Sequence, residues 1–237
     1  MVPRGAQERI YQIVQPILWI YPAVAFALGM SLFHYRRFLR KGNDFRAFLS
    51  YFAAFACLFL VVPSLIIVFF SPDPIVDLQK AGLTLGNSVR GLWIAVAGAP
   101  LAVLSGFVGS RDERLRRFYP FSKVACRSLR TFIAYETAYV FLYYVSWEFF
   151  YRGILFFPLI PIIGLVPALA LQTIVSVLHH AGHPPSEIFA SLAAGVIFGL
   201  IAYFTGSFLY TIFLHALTGV STDTFIYLRD YRRAARR

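Results

Sequence analysis

Five side chains in the second half of the chain could do acid–base chemistry if the fold gathers them: Glu148, Arg152, His180, His215 and Asp223. Glu148 and Arg152 stand four residues apart in Trp147-Glu-Phe-Phe-Tyr-Arg-Gly153, so on a helix they share one face with the acid on the N-terminal side. That spacing admits two readings. Either the pair is a buried salt bridge that fixes the helix, or the carboxylate, raised by desolvation and lowered by the guanidinium, takes a proton from water. An ionisable residue inside apolar sequence is costly enough to count as a functional-site candidate by default.

The imidazoles are open in the same way. His215 lies near the middle of an apolar run and either bonds a carbonyl of a neighbouring helix or takes part in chemistry. His180 ends another run beside Gly182-His-Pro-Pro185, as a cap residue or as part of a site. Asp223 follows on the His215 stretch at the depth of His180, and is expected to orient that ring. His179 and His183 are four apart, yet Gly182 and Pro184 interrupt a helix there, and the acid beside the first His of a zinc-protease signature is absent. No cofactor is expected. Zinc stays as the alternative, and would need Glu148, His180 and His215 to converge.

These residues must be carried by membrane helices. Of 237 residues, 59% are hydrophobic and 14% charged, where a soluble domain has roughly a quarter charged. Runs such as 47–70 and 91–108 are long enough to cross a hydrocarbon core of about 30 Å, and only helices can satisfy their backbone there. The first run, 12–34, is too long for a signal peptide. The expectation is an all-α, polytopic bundle with spans at 12–34, 47–71, 91–108, 132–157, 163–181, 187–204 and 207–227, within limits of six to eight. Ser71 to Arg90 reads as a loop with a short amphipathic helix, Ser186 or its neighbour as a helix cap, and 205–207 as a tight turn.

The net charge of +11 does not point to nucleic acid, because the basic residues cluster at 36–46, 111–130 and 229–237. The positive-inside rule puts those groups in the cytoplasm, with the N-terminus outside and the C-terminus inside. Anionic membrane lipid is their expected partner. Only Arg152, among 22 Lys and Arg, lies inside apolar sequence. Glu136, Glu148, Glu187 and Asp223 are the acids outside loops and tails, and all lie in the second half. One integral domain, 1–237, is therefore expected, with scaffold at 1–130, the working part at 131–227 and a basic tail at 228–237. The two cysteines make no disulfide framework.

One tension follows from this layout. Counted at about 1.5 Å per residue, Glu148 lies about 24 Å from the cytoplasmic end of its helix and His180 only a few ångström from it. Placing Glu136 at the interface, tilting the fourth helix or kinking the fifth would relieve it.

Taken in order, Trp147-Glu148-x-x-x-Arg152-Gly153, Ser176-x-x-x-His180 and His215-x-x-x-Gly219 resemble the CAAX-prenyl-protease and bacteriocin-processing family of intramembrane proteases, over about residues 130 to 227. His180-Ala-Gly-His-Pro-Pro-Ser-Glu187 and the run from Gly195 to His215 look like bacterial members. The resemblance implies an endopeptidase of the cytoplasmic membrane acting on a membrane-associated or lipidated protein or peptide. Glu148 would be the general base, Arg152 its orienting partner, and His180 and His215 would hold water or the tetrahedral intermediate. Trp147 stands where the pattern has its first glutamate, Ser176 where it has phenylalanine, and Gly219 where it has asparagine. Thr218, Thr222 or Tyr151 would then have to supply the missing oxyanion donor, which makes Trp147, Tyr151, Gly219 and Asp223 possible supporting residues. The alternative is a non-catalytic membrane protein of the same fold: an immunity factor, scaffold or small transporter.

Overall fold

The computed structural model describes residues 20–39 and 44–234, all helical or loop with no strand among them. In chain order the helices are α1 (Ile20–Met30), α2 (Tyr35–Leu39), α3 (Asp44–Phe70), α4 (Pro74–Lys80), α5 (Ser88–Gly109), α6 (Glu113–Phe118), α7 (Leu129–Ile163), α8 (Leu165–His179), α9 (Pro185–Thr205) and α10 (Leu209–Ala234). Four of them, α3, α5, α7 and α9, are long and apolar enough to cross a membrane. α1, α8 and α10 take the positions of the other three expected spans; the start of the first, 12–19, lies outside the described residues.

Local chemistry explains most boundaries. Asp73 caps α4 by accepting from the Val76 N–H at 3.2 Å, and Ser128 with Thr131 forms a reciprocal capping box on α7. Gly206 ends α9 in the left-handed region, at φ 70°, where a side chain is disfavoured. One expectation is corrected here. Ser186 does not cap α9; its hydroxyl donates to Asp112 at 2.6 Å, while Pro184 occupies the cap position without a side-chain bond. That hydrogen bond is the main reason the Asp112 carboxyl is held below its ordinary range.

Contacts between loops sort the two ends of the bundle. At one end the Arg36 guanidinium and the Tyr35 hydroxyl reach the Gly182 carbonyl, Asp44 accepts from the Lys123 N–H, and Ser186 meets Asp112. The described parts of the first basic segment, 36–39 and 44–46, therefore share an end with the segment 111–130. At the other, Arg90 donates to the Phe204 carbonyl, Asn87 to Thr205 and Phe208 to Gly82.

α7 is the axis of the structure. Its most apolar window is 56% buried, against 22 to 33% for the other three long helices, and every residue from Ser146 to Gly153 is buried. Aromatic rings surround it: Phe55 of α3 stacks on Trp147 with centroids 6.0 Å apart, and Phe52 stacks on Tyr139 at 4.8 Å. α3 and α7 build the core together.

α10 runs antiparallel along α7 as a ladder. Phe132 stacks on Tyr227, Tyr144 lies over Gly219, and Glu148 meets His215. The registers do not match residue for residue, and the wide π turn at Tyr139–Tyr144 absorbs part of the excess on α7. α5 closes against the outer side of α10 through small residues. A Cβ on Gly106 would stand 2.6 Å from Ser221 Cβ and 2.8 Å from the Thr222 backbone nitrogen. Gly106→Val should therefore force α5 and α10 apart and cost about 1–3 kcal/mol, seen as a lower melting temperature of the detergent-purified protein.

Candidate active site

Glu148 is fully buried and is gripped from two sides. His215 Nδ1 lies 2.6 Å from Glu148 Oε1, and Arg152 Nε lies 3.2 Å from Oε2. The arginine contact pairs the charges without the alignment of a hydrogen bond, leaving Glu148 Oε2 and Arg152 Nε and Nη1 unbonded. Phe198 offers its ring to the guanidinium at 5.7 Å. With Nδ1–H donating to the carboxylate, the free lone pair of His215 is on Nε2, and this side chain is 22% exposed. Arg152 lies in the π turn Phe149–Phe156, yet the pairing expected for a regular helix is kept.

His180 is in a different company. Its Nδ1 bonds the Ser176 carbonyl at 2.8 Å, and its Nε2 lies 4.0 Å from Glu187. Glu187 also accepts from His183 Nδ1 at 3.0 Å and from the Tyr119 hydroxyl at 2.5 Å. Burial first, and then Glu187, holds the Tyr119 phenol well above its usual range. The Trp147 indole stands between the two groups, with ring centroids 4.8 Å from His180 and 6.2 Å from His215. His179 is buried in an aromatic box of Phe26, Phe55, Phe59 and Trp147, with its Nδ1 2.5 Å from the Tyr151 hydroxyl.

The depth tension resolves through a short helix. α8 has 15 residues, or about 22 Å at 1.5 Å each, less than a core of about 30 Å. His180 therefore sits inside the bundle beside Trp147, and Glu136 is buried rather than exposed at an end.

Two expectations need correction. Asp223 does not orient His180: its carboxyl oxygens receive no hydrogen bond, and Ser176 and Glu187 set that ring instead. Among the described residues no three His, Cys, Asp or Glu side chains are grouped to hold a metal, and His180 faces Glu187 rather than joining Glu148 and His215. None of the donors expected to replace an asparagine at 219 is free for that use. Thr218 and Thr222 bond carbonyls of their own helix, and Tyr151 is on His179. Instead the Tyr144 hydroxyl fills the space over Gly219, 1.6 Å from where a Cβ would be, with its ring 4.8 Å from His215. Tyr144 and Tyr119 carry no motif and only the packing reveals them; the Tyr119 contact also brings the first half of the chain into the site.

Two cavities lie apart from these groups. One of about 960 Å³ is an apolar groove between α5 and α10 along Leu92, Pro100, Phe107 and Phe213. The other, about 810 Å³, is lined by Tyr21, Phe26, Ile67, Asp77, Lys80 and Val175. Neither is lined by Glu148, His180 or His215, and the carboxylate is closed in by protein.

An all-helical bundle whose axis holds a buried acid and arginine, with an imidazole of the neighbouring helix on the acid, is an integral membrane protein with a candidate hydrolytic site. Residues 130–221 match the family described as Type II CAAX prenyl endopeptidase Rce1-like, and the matched segment contains Glu148, Arg152, His180, His215 and Gly219 but not Asp223. No curated protein and no solved structure matches the chain. The family match suggests a CAAX-type intramembrane protease.

Removing Arg152 would leave Glu148 as an unpaired buried charge. Arg152→Ala should lower stability by about 3–5 kcal/mol, and Glu148→Gln in the same chain should restore part of that loss, a non-additivity that thermal unfolding of the three variants would measure.

Proposed function

We propose that the protein is an intramembrane endopeptidase of the cytoplasmic membrane, of the bacterial branch of its family, hydrolysing a peptide bond of a membrane-associated or lipidated protein or peptide. In this reading seven helices span the membrane, the basic end faces the cytoplasm, and anionic lipid lies against it. The 2.6 Å contact between His215 and Glu148 carries the mechanism.

The Glu148 carboxylate is sealed from water and already held by Arg152 and His215. Its better use is to fix the imidazole. Glu148 accepts from His215 Nδ1–H, which leaves Nε2 to take a proton from water as the oxygen attacks the scissile carbonyl. Glu148 then stabilises the imidazolium, and that proton passes to the leaving amine, the division of labour of an acid–histidine pair in other hydrolases. Arg152 keeps Glu148 ionised and in place. The Tyr144 hydroxyl, over Gly219 one turn from His215, is the candidate donor to the oxyanion. Neutral His180, with its proton on Nδ1, can only accept through Nε2, which suits holding a water and not an oxyanion. The reaction needs no cofactor from these residues.

A non-catalytic membrane protein of the same fold is the second reading, favoured by one observation: the indole of Trp147 occupies the space between His180 and His215 where the two rings would otherwise share a water. Comparing membrane proteomes of wild type, Glu148→Gln and His215→Ala separates the two. The protease reading expects newly uncut termini in both variants, with cleavage down by about a hundredfold or more while the protein still accumulates. Unchanged termini in both would establish the non-catalytic reading.

A further inference from the structure

The helices that carry Glu148 and His215 share a second acidic rung. Glu136 on α7 is 7% exposed and Asp223 on α10 is 1% exposed, and none of their four carboxyl oxygens receives a hydrogen bond from an N–H or O–H group. Phe132 on Tyr227 to one side and Tyr144 over Gly219 to the other bracket the two acids, which therefore occupy facing positions on α7 and α10. Both facts hold together in only one way. Two ionised carboxylates are acceptors on both sides, repel, and are each costly out of water, whereas an acid and a carboxylate make one strong hydrogen bond.

Groups of both signs act on the pair. Tyr135 and Tyr144 face it from α7 and Glu187 acts on it from α9, none of them positive. Lys123, in the turn before α7, is the opposite charge acting on Asp223, and its ammonium sits on the carbonyls of Arg116 and Tyr119.

We propose that Glu136 and Asp223 form a proton-binding site inside the bundle, in which one carboxyl is protonated, donates to the other, and so fastens α7 to α10. Release of that proton leaves two carboxylates that push the helices apart. The strain falls one step from Tyr144 and Gly219 and two from Glu148 and His215, on the same two helices. The site is independent of whether the protein cuts peptides.

The test uses the full chain in lipid nanodiscs, followed by thermal unfolding across pH and by infrared spectroscopy. The folded state holds a proton that the unfolded state gives up near neutral pH, so the melting temperature of the wild type should fall as pH rises. In Glu136→Gln and in Asp223→Asn the amide donates to the remaining carboxylate without a proton, and the fall should flatten. The wild-type-minus-variant infrared difference should show the carbonyl stretch of a protonated carboxylic acid. If either single variant fails to accumulate, the double amide variant serves the same comparison. A difference spectrum without that band would overturn the proposal. So would a rise in the wild-type melting temperature on adding sodium, potassium or calcium chloride that the variants do not share, because a metal cation would then occupy the proton's place.

Discussion

A carboxylate removed from water must be matched by positive charge or by donors, and the structure is organised around meeting that need for Glu148. Each ion placed in a dry interior costs several kcal/mol unless its partners are close and fixed. Arg152 supplies one partner from the next turn of the same helix. The other, His215, comes from a helix 67 residues further on, so Glu148 is satisfied only if α10 lies along α7 in one register. Phe132 on Tyr227 and Tyr144 over Gly219 enforce that register by packing. Gly219 has no side chain because the phenol is there.

The same constraint explains why α7 is buried on all sides between Ser146 and Gly153. An apolar sheath raises the strength of every charge contact within it, and here it is largely aromatic. Rings from α3 cover one face of α7, α10 covers another, and α8 and α9 bring the second imidazole group. The outcome is two acid–imidazole groups, Glu148 with His215 and Glu187 with His183, separated by the Trp147 indole. That separation follows from the size of the residue at 147. A glutamate there would have put a second carboxylate where the indole now stands.

Much of the architecture was legible from composition alone. Long apolar runs imply helices because a lipid-exposed backbone has no other way to satisfy its polar groups, and clustered Lys and Arg mark one end of the bundle. The tight turn at 205–207 could be read from local chemistry. The Glu148–Arg152 pairing could be read from helical spacing. Such features depend on residues near one another in the chain, and so they survive in a one-dimensional reading.

What tertiary structure decided were the partners across the chain. The depth of His180 depended on α8 being short, a boundary set at Gly164 where the chain turns. The meeting of Glu148 with His215, the diversion of Ser186 to Asp112, the entry of Tyr119 and Tyr144, and the facing of Glu136 and Asp223 all join residues far apart in sequence. Helical periodicity gives the angle of a side chain about its own axis. It does not give which neighbour fills that side, nor how far π turns slip one helix along another. The isolated arginine in apolar sequence determined that a buried acid had to be near it; only the packing of α10 on α7 determined that the acid's other oxygen belongs to a histidine.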